Sequence, residues 1–157
     1  PNRTSGGAFD CTGVTFVKTG EVEISFPKVK GKGLIVANWH MAVKSDIERE
    51  GALGETSLGL IARLGRMTFH APVKHVEAAC FSNFTPINQT SGVLKIDGNM
   101  IVNHFDRREF NNIHVFYNGP GCRTSLLSVA RDVGKYEPKR YHVALGNQWS
   151  RFEYEKQ

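Results

Sequence analysis

Hydrophobic and polar positions alternate with a period of two along much of the chain, the spacing of a strand with one wet and one packed face. The stretch 21–26, EVEISF, sets Val22, Ile24 and Phe26 against Glu21, Glu23 and Ser25. GVTFV (13–17) precedes it, and GLIVANWHMAV (33–43) is a more apolar run, expected to be a buried strand reaching His40. Further strand candidates are RMTFH (66–70), VKHVEAACF (73–81), VLKID (93–97), NMIVNHF (99–105), NIHVFYN (112–118), KRYHVALG (139–146) and WSRFEYE (149–155). The pairs Asp97-Gly98 and Asn118-Gly119 favour tight turns between such segments. The sheet is therefore expected to be mainly antiparallel.

Two segments depart from this period. In 45–66, Leu58, Ile61 and Leu64 fit one side of a short helix over Ser57 to Leu64, while Gly51, Gly54, Gly59 and Gly65 weaken a longer one. We read it as a turn region with one or two helical turns. From Arg123 to Val133, the residues Leu126, Leu127, Val129, Ala130 and Val133 form a core-facing helical stripe, with Gly134 placed as its cap. The predicted fold class is α+β, dominated by an antiparallel sheet, with one core helix at about 123–133. The polar, Gly-rich residues 1–10 are expected to be an arm and 11–157 a single domain; we read no internal repeat.

A chain that is 40% hydrophobic and 22% charged has the composition of a globular protein, and no apolar run is long enough to span a bilayer as a helix. The formal charge is +5. Its basic residues are grouped at Lys28, Lys30 and Lys32 and at Arg131, Lys135, Lys139 and Arg140, which would suit RNA or an acidic membrane surface. No zinc-finger spacing, RNA-binding aromatic motif or Gly-rich phosphate loop accompanies them. The three cysteines, Cys11, Cys80 and Cys122, make no even disulfide framework and favour a reducing compartment, hence the cytoplasm. Against this stand acceptor triplets for glycosylation at Asn2, Asn83 and Asn88. No metal-ligand spacing occurs, and no cofactor is expected.

The candidate chemistry centres on Cys122. A cysteine at the start of a helix has its thiolate stabilised by free N–H groups and the helix dipole, and it becomes a nucleophile when a histidine takes its proton. His40, at the end of a strand run, and His70, which closes RMTFH, are the candidate partners; His142 is a rival to them. The order His40 then Cys122 is also that of chymotrypsin-like viral cysteine proteases, although Arg123 stands where those enzymes carry glycine.

HMAV (40–43), TFHAP (68–72) and GCRTSLLSVARDVG (121–134) resemble, in order and context, the lecithin:retinol acyltransferase-like, papain-like family and the picornavirus 2A proteins of the H-box/NC class. Pro1 and Gln157 suit excision from such a polyprotein. The resemblance implies an acyltransferase-like fold, with Cys122 as nucleophile, His40 as base and His70 orienting His40. Gly121 stands where the family carries asparagine. It further implies a viral non-structural protein acting in replication or host-protein interaction in the host cytoplasm, with weak or no lipid acyl transfer. A non-catalytic RNA- or membrane-binding module is the alternative from a different class.

Overall fold

A computed structural model of the chain describes residues 4–5, 7–52, 54–117, 141–145 and 148–152. After β1 (Thr4–Ser5) the chain winds through successive coils. The first holds β2 (Ala8–Asp10), β3 (Gly13–Val17) and β4 (Val22–Ile24), and the second β5 (Lys28–Lys30), β6 (Lys32–Ala37) and β7 (Met41–Val43). The third holds β8 (Glu48–Arg49) and the long β9 (Ser57–Phe69), the fourth β10 (His75–Val76) and β11 (Ala79–Asn88). Next come β12 (Leu94–His104) and β13 (Ile113–Tyr117), then β14 (Tyr141–Leu145) and β15 (Gln148–Phe152).

Equivalent strands of successive coils pair in parallel, so the chain is all-β and arranged as a β-solenoid. One side stacks β3, β6, the first half of β9, the first half of β11 and the second half of β12, in the register Val14, Leu34, Gly59, Ala79, Asn99. A second side stacks β4, β7 and the second half of β9. The third runs through β2, β5 and β8, then through an Ile47–Val76 bridge to β10, β12 and β13. On the first side aligned residues lie 20 positions apart, or 25 where residues 50–56 lengthen the third coil; on the second side the spacing is 19 from β4 to β7 and 26 from β7 to β9. Among the described residues only β1–β2 and β14–β15 pair antiparallel, and β14 lies beside β12.

This corrects the expected α+β, antiparallel, acyltransferase-like fold. The turn residues mark corners between sides of a coil, where the chain bends without reversing onto its neighbour. Asp97-Gly98 illustrates the difference, because it lies within the continuous strand β12. A Cβ at Gly98 would come within 2.1 Å of the Ala78 carbonyl oxygen, so glycine here permits close contact between coils. Ser57 to Leu64 belongs to β9 and is not helical: Leu58, Leu60 and Ala62 point inward with period two, and this burial outweighs the helical spacing of Leu58, Ile61 and Leu64. The predicted helix at 123–133 lies outside the described residues.

The core is a set of inward columns, one residue per coil. Ile35, Leu60, Cys80 and Met100 make one, and Ala37, Ala62 and Ser82 the next. Ile24, Val43 and Phe69 fill the second side, while Ile47, Val76 and Ile96 fill the third. Ser82 is the polar exception and is satisfied: its Oγ accepts from Met67 N–H (3.0 Å) and donates to Phe84 O (2.5 Å). These bonds hold the chain where the register between β9 and β11 slips.

Candidate binding flank

On the side built from β3, β6, β9, β11 and β12, alternate residues point away from the core. One outward column is Phe16, Val36, Ile61, Phe81 and Ile101, apolar in every coil. Neighbouring coils lie about 4.8 Å apart, so these side chains form a nearly continuous strip. At the adjoining corner, Trp39, Leu64 and Phe84 follow one another, and Phe84 stacks on His104 with ring centroids 5.4 Å apart. Phe16 is 53% exposed, Trp39 48%, Phe84 41% and Leu64 40%. A soluble surface normally scatters such residues; here the coil repeat collects them.

Polar residues lie between the strip and the corner. Asn38 and Arg63 follow the aligned pair Ala37 and Ala62, and Arg63 donates to Asn38 Oδ1 (3.1 Å); two coils on, Asn103 donates to Asn83 Oδ1 (2.9 Å). The nearby carboxylates are engaged. Arg66 pairs with Glu109 (3.3 Å), and Arg108 pairs with Asp106 (2.8 Å), whose pKa its hydrogen bonds lower to about 2. Lys18 and Arg63 make no ion pair among the described residues, leaving the flank apolar with a mildly positive rim.

The expected catalytic histidines lie on the next side of the coil. His40 is exposed, and its Nδ1 accepts from Arg66 N–H (3.2 Å), which leaves the ring proton on Nε2. His70 sits at the following corner, half-buried, with its N–H bonded to Val43 O. Met41 is aligned with Met67, so His40 stands level with Arg66, and His70 lies four residues further along β9 and the corner after it. At about 3.3 Å per residue this separates their backbones by roughly 13 Å. Cys122 lies outside the described residues; His142 is in β14, opposite Arg151. Cys11 and Cys80 are buried. The Cys11 thiol lies 3.1 Å from Lys30 O, and burial pushes its pKa up to about 11, the opposite of an activated thiolate.

The basic patch is divided by the register. Lys28 is aligned with Glu48 and Lys30 with Asp10, while Lys32 faces Ser57. Arg131, Lys135, Lys139 and Arg140 lie outside the described residues.

One cluster was not visible in the sequence: ligand atoms of His75, Glu77 and Asp97 lie within 4.8 Å of one another. Glu77 and Asp97 each follow one residue after the aligned pair Val76 and Ile96, a juxtaposition that needs the register between coils to be known. Arg49 is already bound there. Its N–H and Nε reach Glu77 Oε2 (2.6 and 3.3 Å), and its Nη2 lies 3.9 Å from Asp97. The carboxylates thus have a cation, which a metal ion would have to displace.

No family model matches the chain, and neither curated proteins nor solved structures gave a match.

Proposed function

We propose that the chain is a non-catalytic recognition scaffold that seats a protein partner on the flank of Phe16, Val36, Ile61, Phe81, Trp39, Leu64 and Phe84. The contiguous exposure of large apolar side chains along one side carries this reading. Interface centres are enriched in aromatic residues and poor in charge, with a polar rim, and the flank has that composition. Arg63, a rim cation with no ion pair among the described residues, favours a partner whose apolar strip is bordered by carboxylates. The host-interaction role implied by the sequence resemblance is compatible with this reading without acyl transfer. The RNA reading is less favoured, because Glu48 and Asp10 stand beside Lys28 and Lys30.

The test places a photo-crosslinking residue at Leu64, with Lys28 as the control position. The crosslinked partner is then identified, purified and titrated. Trp39→Ala and Phe84→Ala should each weaken binding at least about tenfold, as truncating a central aromatic anchor does, without lowering thermal stability. Affinity should change little with salt, unlike phosphate binding, which releases counterions. Adducts only to residues 118–157 of the same chain, or equal yield from Lys28, would refute the proposal.

A further inference from the structure

Among the described residues, β3 is an edge strand of its sheet. β1 folds back onto β2, but among the described residues nothing pairs with the outer edge of β3. Its sequence, GVTFV, has no charge, proline or bulge of the kinds that natural edges use to discourage pairing. The backbone direction can be read from two bonds: Asn38 N–H donates to Val17 O and Cys11 N–H to Lys30 O, each at 3.0 Å. Residues 11 and 17 therefore direct their backbone groups toward the second coil. Because these groups alternate along a strand, Val14 and Phe16 direct their N–H and C=O groups outward, away from β6.

We infer that β3 pairs with β3 of a second copy of this chain, antiparallel and centred on Thr15, to form a two-fold dimer. The segment is complementary to itself in this register. Val14 of one copy faces Phe16 of the other, twice over, and both residues carry outward-directed backbone groups, so each meeting is a hydrogen-bonded pair. It is also an aromatic with β-branched pair, a favourable cross-strand combination. Thr15 meets Thr15 on the axis. Lys18 falls opposite Thr12 of the other copy, where Asp10 Oδ1 accepts from Thr12 N–H (2.9 Å), so a cation meets a carboxylate at both ends of the pairing. Phe16 is exposed, and among the described residues its column, through Val36, Ile61, Phe81 and Ile101, has no strand beyond β3. A strand from a second copy supplies it. The isologous geometry closes on two copies, and the inference depends on the fold alone, not on the flank having another partner.

The test is sedimentation of the full chain over a wide concentration range, combined with amide hydrogen exchange. The wild-type protein should associate to a dimer, with the Val14 and Phe16 amides becoming protected as concentration rises. Phe16→Pro removes an outward-directed donor while sparing the bonds to β6, and Val14→Lys places a charge against Phe16 of the second copy on each side of the axis. Each should raise the dimer dissociation constant at least about tenfold with an unchanged circular dichroism spectrum. Trp39→Ala should leave the dimer intact, because Trp39 lies at the corner of the flank and outside β3, so the two interfaces share Phe16 alone. A wild-type protein that stays monomeric throughout, or a dimer unaffected by Val14→Lys, would overturn the proposal; if Phe16→Pro fails to fold, Val14→Lys decides alone.

Discussion

At the residue scale, Cys11 shows how position determines chemistry. Its thiol is held in the core near the carbonyl oxygens of Lys30 and Gly31, and burial raises its pKa from 9.0 to about 11. The folded protein thus holds this proton more tightly than the unfolded chain. The resulting stability is full below about pH 9 and is lost as pH rises through about 11. Thermal melts of wild type and Cys11→Ala should diverge below pH 9 and converge above pH 11, with the wild type losing more over the interval. A constant difference across this window would show that the thiol proton is not linked to folding. None of this was legible in the sequence, which gave Cys11 no role and placed the candidate chemistry on Cys122. His40 was read as closing a buried strand run, whereas β6 ends at Ala37 and His40 stands at the corner before β7; its bond to Arg66 N–H depends on a residue 26 positions away.

At the element scale, period-two alternation located most strands correctly. GVTFV is β3 to the residue, and the two segments near the C-terminus form the β14–β15 pair. It failed at 57–64, where glycines and a coincidental helical spacing hid the first part of β9, whose end RMTFH was read as a strand. In a solenoid, glycine can sit within a strand because another coil passes close by, and propensity gives way to packing. The alternation in β9 has a measurable consequence. Leu60 points inward and is fully buried, whereas Ile61 points outward and is half-buried. Leu60→Ala should cost about 2–5 kcal/mol in denaturant unfolding, the range for deleting a buried leucine. Ile61→Ala should cost clearly less, and equal losses would contradict the assigned faces.

At the scale of the whole molecule, parallel stacking turns scattered residues into columns. Trp39, Leu64 and Phe84 are separated by 20 or more positions in the sequence, and the coil brings them to one corner. The repeat escaped the sequence reading because each column tolerates different residues: Ile35, Leu60, Cys80 and Met100 share a place without sharing an identity. What the core requires is apolar volume at that point of each coil, and several side chains provide it. The third coil's five extra residues also displace the period just where a repeat would be sought.

The measurement that reaches this account most directly is disulfide trapping between coils. Val36 and Ile61 are aligned on neighbouring strands, point outward, and lie on the flank proposed to bind. Strands about 4.8 Å apart fall within the Cα separation a disulfide spans. The double variant Val36→Cys with Ile61→Cys should close an intramolecular disulfide under mild oxidation, while Val36→Cys with Ile101→Cys, three coils apart, should not. Closure of the distant pair, or none between the neighbours, would contradict the parallel register on which the flank depends.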